Sequence, residues 1–503
     1  MTLSNIRVAS TLAALLLSTA AQAQVTAEQV WQDWKDLSAS YGQTITAGSE
    51  NRSGDTLVVS GMNINSTFEG GSVQGTVETV NFRELGDGTV EVTMSPEYPL
   101  TLNVTGEDGK PATVELMVRQ PGLILIAGGT DAETRYDFNA PTVKVSVVSV
   151  TSDGKPVDAD VNLDITALSG NYLVTKGEMA KLASDLRAEG MTFQMSVADP
   201  AASSTFSMNG SVSQLAGKTE GTLMSAEAMT DMAAALAAGF NTAGTFSFGA
   251  TSYDFSVDEA GQTAQGNATL AGGGLKFGMN ADSLEYGGDA RDVALKVTGS
   301  QLPFPELAMN YSQAAFNLLM PLSKSETPGN FALMTRLVDF TISDAVWDMV
   351  DPGKVLPRDP ATLIIDTKGT AKWLVDIMTA AETEELPEGT VPGELHSLDI
   401  SELLFKALGA EISGKGAFTF DNTDLVTFQG MPAPTGTLDL KILGANALLD
   451  KLISLGFVPE DQAMGARMMM GLFAKPIDGQ EDALTSTLEF KDKGFYANGQ
   501  RLQ

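Results

Sequence analysis

Few residues in this chain of 503 are of types that do chemistry, and those few stand in patterns that point elsewhere. The single histidine, His396, lies between an acidic stretch and the apolar-polar alternation around Leu398 and Ile400. A catalytic imidazole needs a nucleophile and an orienting partner, so a partly buried structural histidine is expected here. Ser152-Asp153-Gly154-Lys155 has the spacing of a serine-lysine pair, but its Asp-Gly centre reads as a hairpin turn rather than a helix start. The segment Gly409-Ala410-Glu411-Ile412-Ser413-Gly414-Lys415-Gly416 carries the glycines and lysine of a phosphate loop. Gly416 stands where a magnesium-binding hydroxyl belongs, and Ala417 to Phe420 continues as strand where that motif needs a helix.

Metal and thiol chemistry is narrowed further by composition. Asp158, Asp160 and Asp164 alternate along one segment, but the loop glycine and terminal glutamate of a calcium hand are missing, so a solvated strand face is expected. One histidine and no cysteine exclude a His/Cys zinc site, a disulfide framework, a thiolate nucleophile and a lipoprotein anchor. A carboxylate pair for glycoside hydrolysis stays open among 63 acidic residues, because the separation that matters is three-dimensional. No residue is assigned a catalytic, cofactor-binding or metal-binding role, and the chain is read as a non-enzyme with no cofactor.

Residues 1–23 have the layout of a secretory signal peptide. Arg7 gives a positive start, Val8 to Leu17 a short apolar run, and Ala21-Gln22-Ala23 a small-x-small site with cleavage between Ala23 and Gln24. No later stretch is long and apolar enough to span a bilayer, since Leu307 to Leu322 is broken by Asn310, Ser312, Gln313 and Asn317. A periplasmic location is expected. The formal charge of −32 becomes one unit more negative when Arg7 leaves, which argues against nucleic acid as a partner.

The elements that would position any site follow from periodicity. Thr26 and Gln29 form a capping box opening a helix with a Val30, Trp34, Leu37, Tyr41 stripe, ended by Gly42. From Asp55 to about Tyr172 the pattern alternates with period two, as in Val143, Val145, Val147 and in Val161, Leu163, Ile165. Two Asp-Gly-Lys-Pro turns, at Asp108 and Asp153, hint at a duplicated hairpin. Thr175 and Glu178 predict a second helix through Met179, Leu182 and Leu186 to Gly190, and Ser225 to Ala238 a third with Met229, Met232 and Leu236 inward. Alternation then slips by one residue at Thr251-Ser252, as at a bulge. Beyond a soft boundary near 300, Ser343 opens a short helix through Val350, Ala380 to Glu394 reads as a loop, and Thr437 to Ile442 is a strand. Helices at Ala445 to Leu455 and Pro459 to Phe473 precede strands at Ala483 to Phe490 and Phe495 to Ala497.

The fold class is therefore α+β, mostly antiparallel β: an elongated curved sheet or meander with inserted helices and a C-terminal helix pair capping one end. Residues 24–300 form a β-rich meander and 301–503 an α+β region.

Trp347-Asp348-Met349-Val350-Asp351-Pro352-Gly353, then Leu356-Pro357-Arg358-Asp359-Pro360-Ala361, the strand start Pro434-Thr435-Gly436 and the closing Phe495 to Leu502 resemble the exported alphaproteobacterial family called domain of unknown function 2125. That family looks distantly similar to AsmA-like envelope proteins, which implies an extended sheet with a groove for lipids. The expected function is non-catalytic binding of a lipid or other amphiphile on an apolar sheet face; the alternative is a structural or interaction protein of the envelope without a ligand cavity. Met464, Met468, Met469 and Met470 are expected to fill core, or else to line an adaptable surface.

Overall fold

The computed structural model describes residues 25–106, 109–199, 203–225, 228–375 and 391–503. The proposed signal peptide, the cleavage pair Ala23 and Gln24, the turn residue Asp108 and most of the acidic loop lie outside them. Within them the chain is mostly antiparallel strand in one long curved sheet, as the alternation implies. Taken as long strands, each pairs with the next, so the sheet is a meander. Several long strands are built from two collinear segments: Thr242–Phe248 and Thr251–Glu259 both pair with Ser204–Thr222, one at each half. The slip at Thr251-Ser252 is therefore not a bulge. It is the break between these two segments, and the register against Ser204–Thr222 is the same on both sides, Val212 facing Thr251 and Ala216 facing Ser247.

That break belongs to a crease that crosses the sheet. Pairing lapses between Thr166/Gly190 and Ser169/Arg187, between Arg291/Gln313 and Val293/Tyr311, and between Gln313/Val338 and Asn310/Thr341. At these lapses Ala167, Gln214, Asp292 and Asp339 take φ of 51°, 52°, 48° and 55°, with Gly61 at 62° on an earlier strand. One left-handed residue resets the alternation. Apolar positions accordingly step by three across the crease, from Ile165 to Leu168, Val212 to Leu215, Ala290 to Val293 and Leu337 to Phe340. The step keeps the same face of each long strand apolar on both sides of the crease. Leu57 and Val59 before Gly61, and Met62 and Ile64 after it, pack in the same core.

Five helices lie among the described residues. The first, α1 (Ala27–Ser40), has the predicted capping box. It lies on the apolar face at the N-terminal end, where Val30 and Trp31 pack against Val59, Val80, Phe82 and Tyr136. Trp31 rather than Trp34 is the deep anchor, 2% exposed, with its ring 5.9 Å from Phe82 and its Nε1 donating to Glu50 Oε1 at 2.8 Å. Beside it Tyr136 and Tyr172 stack at 4.5 Å, and burial pushes both phenols well above their ordinary pKa.

The predicted helix from Thr175 to Gly190 is wrong. Lys181–Asp199 is a strand paired on both sides, because Leu182 and Leu186, four apart, satisfy a period of two as well as one of 3.6. The alanine-rich helix is shorter than predicted: a single 3₁₀ turn at Ala228–Thr230, then α2 (Met232–Ala237), which Asp231 caps by accepting from the Ala234 amide. Next come α3 (Asp344–Val350), α4 (Ala445–Ser454) and α5 (Glu460–Phe473). The Phe473 carbonyl accepts from Ser486 Oγ at 2.6 Å and Asn498 Nδ2 at 2.9 Å, which docks the helix pair at the end of the sheet. Three of the four α5 methionines do not fill core: Met464, Met468 and Met469 are exposed, Met468 by 71%, while Met470 is half-buried.

Candidate functional site

Register assigns every strand residue to one of two faces, because direct cross-strand partners share a face. One row of partners runs Leu186, Gly217, Phe246, Leu275, Gly288, Phe316, and continues through Thr335, Ile365 and Leu403 to Gly414. The row one residue away, on the opposite face, runs Asp185, Lys218, Thr245, Lys276, Gly287, Asn317, Met334, Asp366, Glu402. From strand Lys181–Asp199 to strand Ala410–Asp421, the only charged residues in register with the first face are Asp199 and Glu259, each the last residue of its strand. The opposite face carries the ion pairs, such as Arg336 with Asp366 at 3.2 Å and Glu402 at 3.0 Å.

At the N-terminal end α1 covers this face, which there also carries Glu50, Arg52 and Glu84 in register with Val59, Leu57 and Val90; further along, the face is charge-free and much of it is open. Phe246, Leu275, Phe316 and Leu333 are 40%, 46%, 39% and 48% exposed. Met195, Phe277, Tyr286, Phe405 and Ile412 are exposed on the same face. At a strand spacing of ~4.8 Å the open stretch is roughly 45 Å long. Exposed apolar patches on soluble monomers are seldom larger than about 300–600 Å² and tend to mark binding surfaces.

The floor of this stretch is levelled by glycines. Phe193 faces Gly210, Phe255 faces Gly266, Phe277 faces Gly244 and Phe316 faces Gly288 across neighbouring strands. Each ring lies over the strand that has no side chain to obstruct it. A Cβ on Gly244 would sit 2.6 Å from the Phe277 ring, and one on Gly210 2.4 Å from Phe193. Gly244→Val should therefore lose about 1–3 kcal/mol by overpacking. In thermal melts Gly244→Val/Phe277→Ala should recover part of the loss, an outcome that a purely backbone effect of valine would not give.

Near the end of α1 the open face deepens into a cavity of about 420 Å³ lined by Tyr41, Leu182, Met224, Met229, Phe240 and Phe277. Phe240 belongs to a small core with Ala235, Leu236 and Leu322 that seats α2 over the strand ends.

The residues singled out for chemistry are not brought together. His396 is the bulged residue between the pairs Thr370/Ser397 and Ala371/Leu395, and its Nε2 lies 3.2 Å from Glu394 Oε2, which also meets Lys372 Nζ at 3.1 Å. Ser152 and Lys155 face each other across a two-residue turn. Gly409 ends a tight turn before strand Ala410–Asp421, which is no phosphate loop. Asp158 and Asp160 are exposed along one strand, and Asp164 pairs with Lys144 at 2.6 Å. Among the described residues no group of three or more His, Asp or Glu could hold a metal ion, and no helix is long and apolar enough to cross a membrane.

The tryptophan-aspartate motif after Ser343 is a clasp. Asp351, fully buried, accepts from the amides of Val355 at 3.0 Å and Leu356 at 2.7 Å. Arg358 forks to Asp344 and Asp348, both at 2.6 Å, over the Trp347 ring. The Val355 amide, with that of Leu356, holds the Asp351 carboxyl below its ordinary pKa against the opposing effect of burial. A depressed folded-state value stabilises above the unfolded carboxylate pKa of about 3.9 and is lost as pH falls through the folded value. Asp351→Ala should lower Tm at neutral pH, and its gap to the parent should narrow below about pH 4.

No protein-family profile, curated protein or solved structure matches this chain.

Proposed function

We propose that this is an exported, non-catalytic envelope protein whose open sheet face takes the acyl chains of a lipid or similar amphiphile. The observation that carries this reading is the absence of charge from the open face, set against a chain of net charge −32 whose other face is ion-paired. Hydrocarbon is the occupant that leaves no polar group unpaired against such a surface. Its length exceeds the ~30 Å hydrocarbon thickness of a bilayer, which is two acyl chains end to end. Periplasmic residence rests on the signal-peptide layout of residues 1–23.

Solvent extraction and mass spectrometry of protein purified without detergent tests this. An amphiphile recovered in stoichiometric amount supports it. Protein that is empty, and that takes up none when incubated with a bacterial lipid extract, contradicts it. A second reading, a contact surface for an envelope protein, is favoured by one observation: Met464, Met468 and Leu472 form an exposed i, i+4, i+8 stripe on α5. If that stripe is the functional surface, Met464→Ser/Met468→Ser should abolish co-purification of a partner and leave bound lipid unchanged.

A further inference from the structure

We propose, building on the acyl-chain reading above, that the amphiphile bound by this face has a headgroup without net negative charge. The interior of the open face offers no charged side chain, so a headgroup must lie at the strand ends, where the connections form two rims. One rim carries Glu178, Asp231, Asp282 and Glu326 against Lys176 and Lys324. The other carries Glu306, Asp344, Asp348 and Asp359 against Lys354 and Arg358.

The cations that are present are in part engaged already. Lys176 Nζ meets the carboxylate of Asp33 on α1, and Arg358 is shared between Asp344 and Asp348. Arg358 is held by that fork and by the Trp347 ring, 5.9 Å from its guanidinium, and to meet a phosphate it would have to break the clasp. An anionic headgroup at either rim thus meets a net negative field. A choline or ethanolamine headgroup brings an ammonium group to the same carboxylates. The field of exposed carboxylates reaches about 10 Å at 0.1 M salt and further at lower salt, so the discrimination must depend on ionic strength.

The test is titration of the full chain with two probes that share one acyl chain, palmitoyl lysophosphatidylcholine and palmitoyl lysophosphatidylglycerol. At about 10 mM salt the anionic probe is expected to bind roughly tenfold or more weakly, and at about 0.5 M salt the gap should fall below about threefold. Glu178→Lys/Asp282→Lys, two exposed rim changes, should shrink the low-salt gap by strengthening the anionic probe and weakening the zwitterionic one, and at about 0.5 M salt should leave both probes within about twofold of their parent affinities. Equal affinities at low salt, or tighter binding of the anionic probe, would overturn the proposal and leave the acyl-chain reading intact. Failure of both probes to bind would overturn that reading and this inference with it.

Discussion

Trp31→Ala should cost the fold about 3–5 kcal/mol, the largest single effect expected anywhere in the chain. The indole is 2% exposed, packs at 5.9 Å on Phe82, and its Nε1 donates to Glu50. Its removal leaves both a cavity and an unpaired carboxylate where α1 meets the sheet. α1 is also what covers the apolar face at this end, so loosening it should expose Val59, Val80 and Phe82 together. Denaturant titration measures the loss. Met468→Ala on α5 is the contrast: at 71% exposure it should change stability by less than about 0.5 kcal/mol. A large loss for Met468→Ala and a small one for Trp31→Ala would reverse the assignment of core and surface.

The second large effect concerns binding. Leu275→Asp/Leu333→Asp places two carboxylates on the open face at side chains 46% and 48% exposed in the parent. The folded protein should tolerate them, since water reaches both positions. Acyl chains should not, because covering an unpaired carboxylate with hydrocarbon costs several kcal/mol. Uptake of a fluorescent fatty-acyl probe should therefore fall by more than about a hundredfold, each 1.4 kcal/mol being a factor of ten. Thr245→Asp/Asn317→Asp lies on the opposite face, one residue from Phe246 and Phe316, adds the same two charges, and should leave uptake within about twofold of the parent. Equal losses for the two variants would point to a general charge effect rather than to this face.

Much of the fold is legible in the alternation of particular strands, and so is the C-terminal order of strand, two helices and strand pair. Where reading failed, two periods were degenerate or a tertiary partner decided. Leu182 and Leu186 fit helix and strand equally, and only pairing with Lys155–Thr175 and Ser204–Thr222 selects the strand. Trp31 and Trp34 are one turn apart on one helix, and which goes deeper depends on where α1 meets Phe82.

The crease was present in the sequence in plain form. Ile165 to Leu168, Val212 to Leu215, Ala290 to Val293 and Leu337 to Phe340 repeat one three-residue apolar step in strand after strand. Read singly at Thr251, the step looks like an isolated bulge; read as a series, it marks a line across a sheet that keeps one face apolar. The candidate site is legible only halfway. Alternation shows which residues of a strand share a face, but the register that aligns Leu186 with Phe246, Phe316 and Leu403 is set by long-range pairing. Which part of that face a helix leaves bare is likewise a tertiary fact.

The most direct test of the central claim is photo-crosslinking with a palmitoyl probe carrying a diazirine in its chain, followed by peptide mapping. Labelled side chains are expected on the open face, at Phe246, Leu275, Phe316 or Leu333, and none at Thr245, Lys276, Asn317 or Asp366 one residue away. Labelling of the ion-paired face, or of α5 alone, would contradict it.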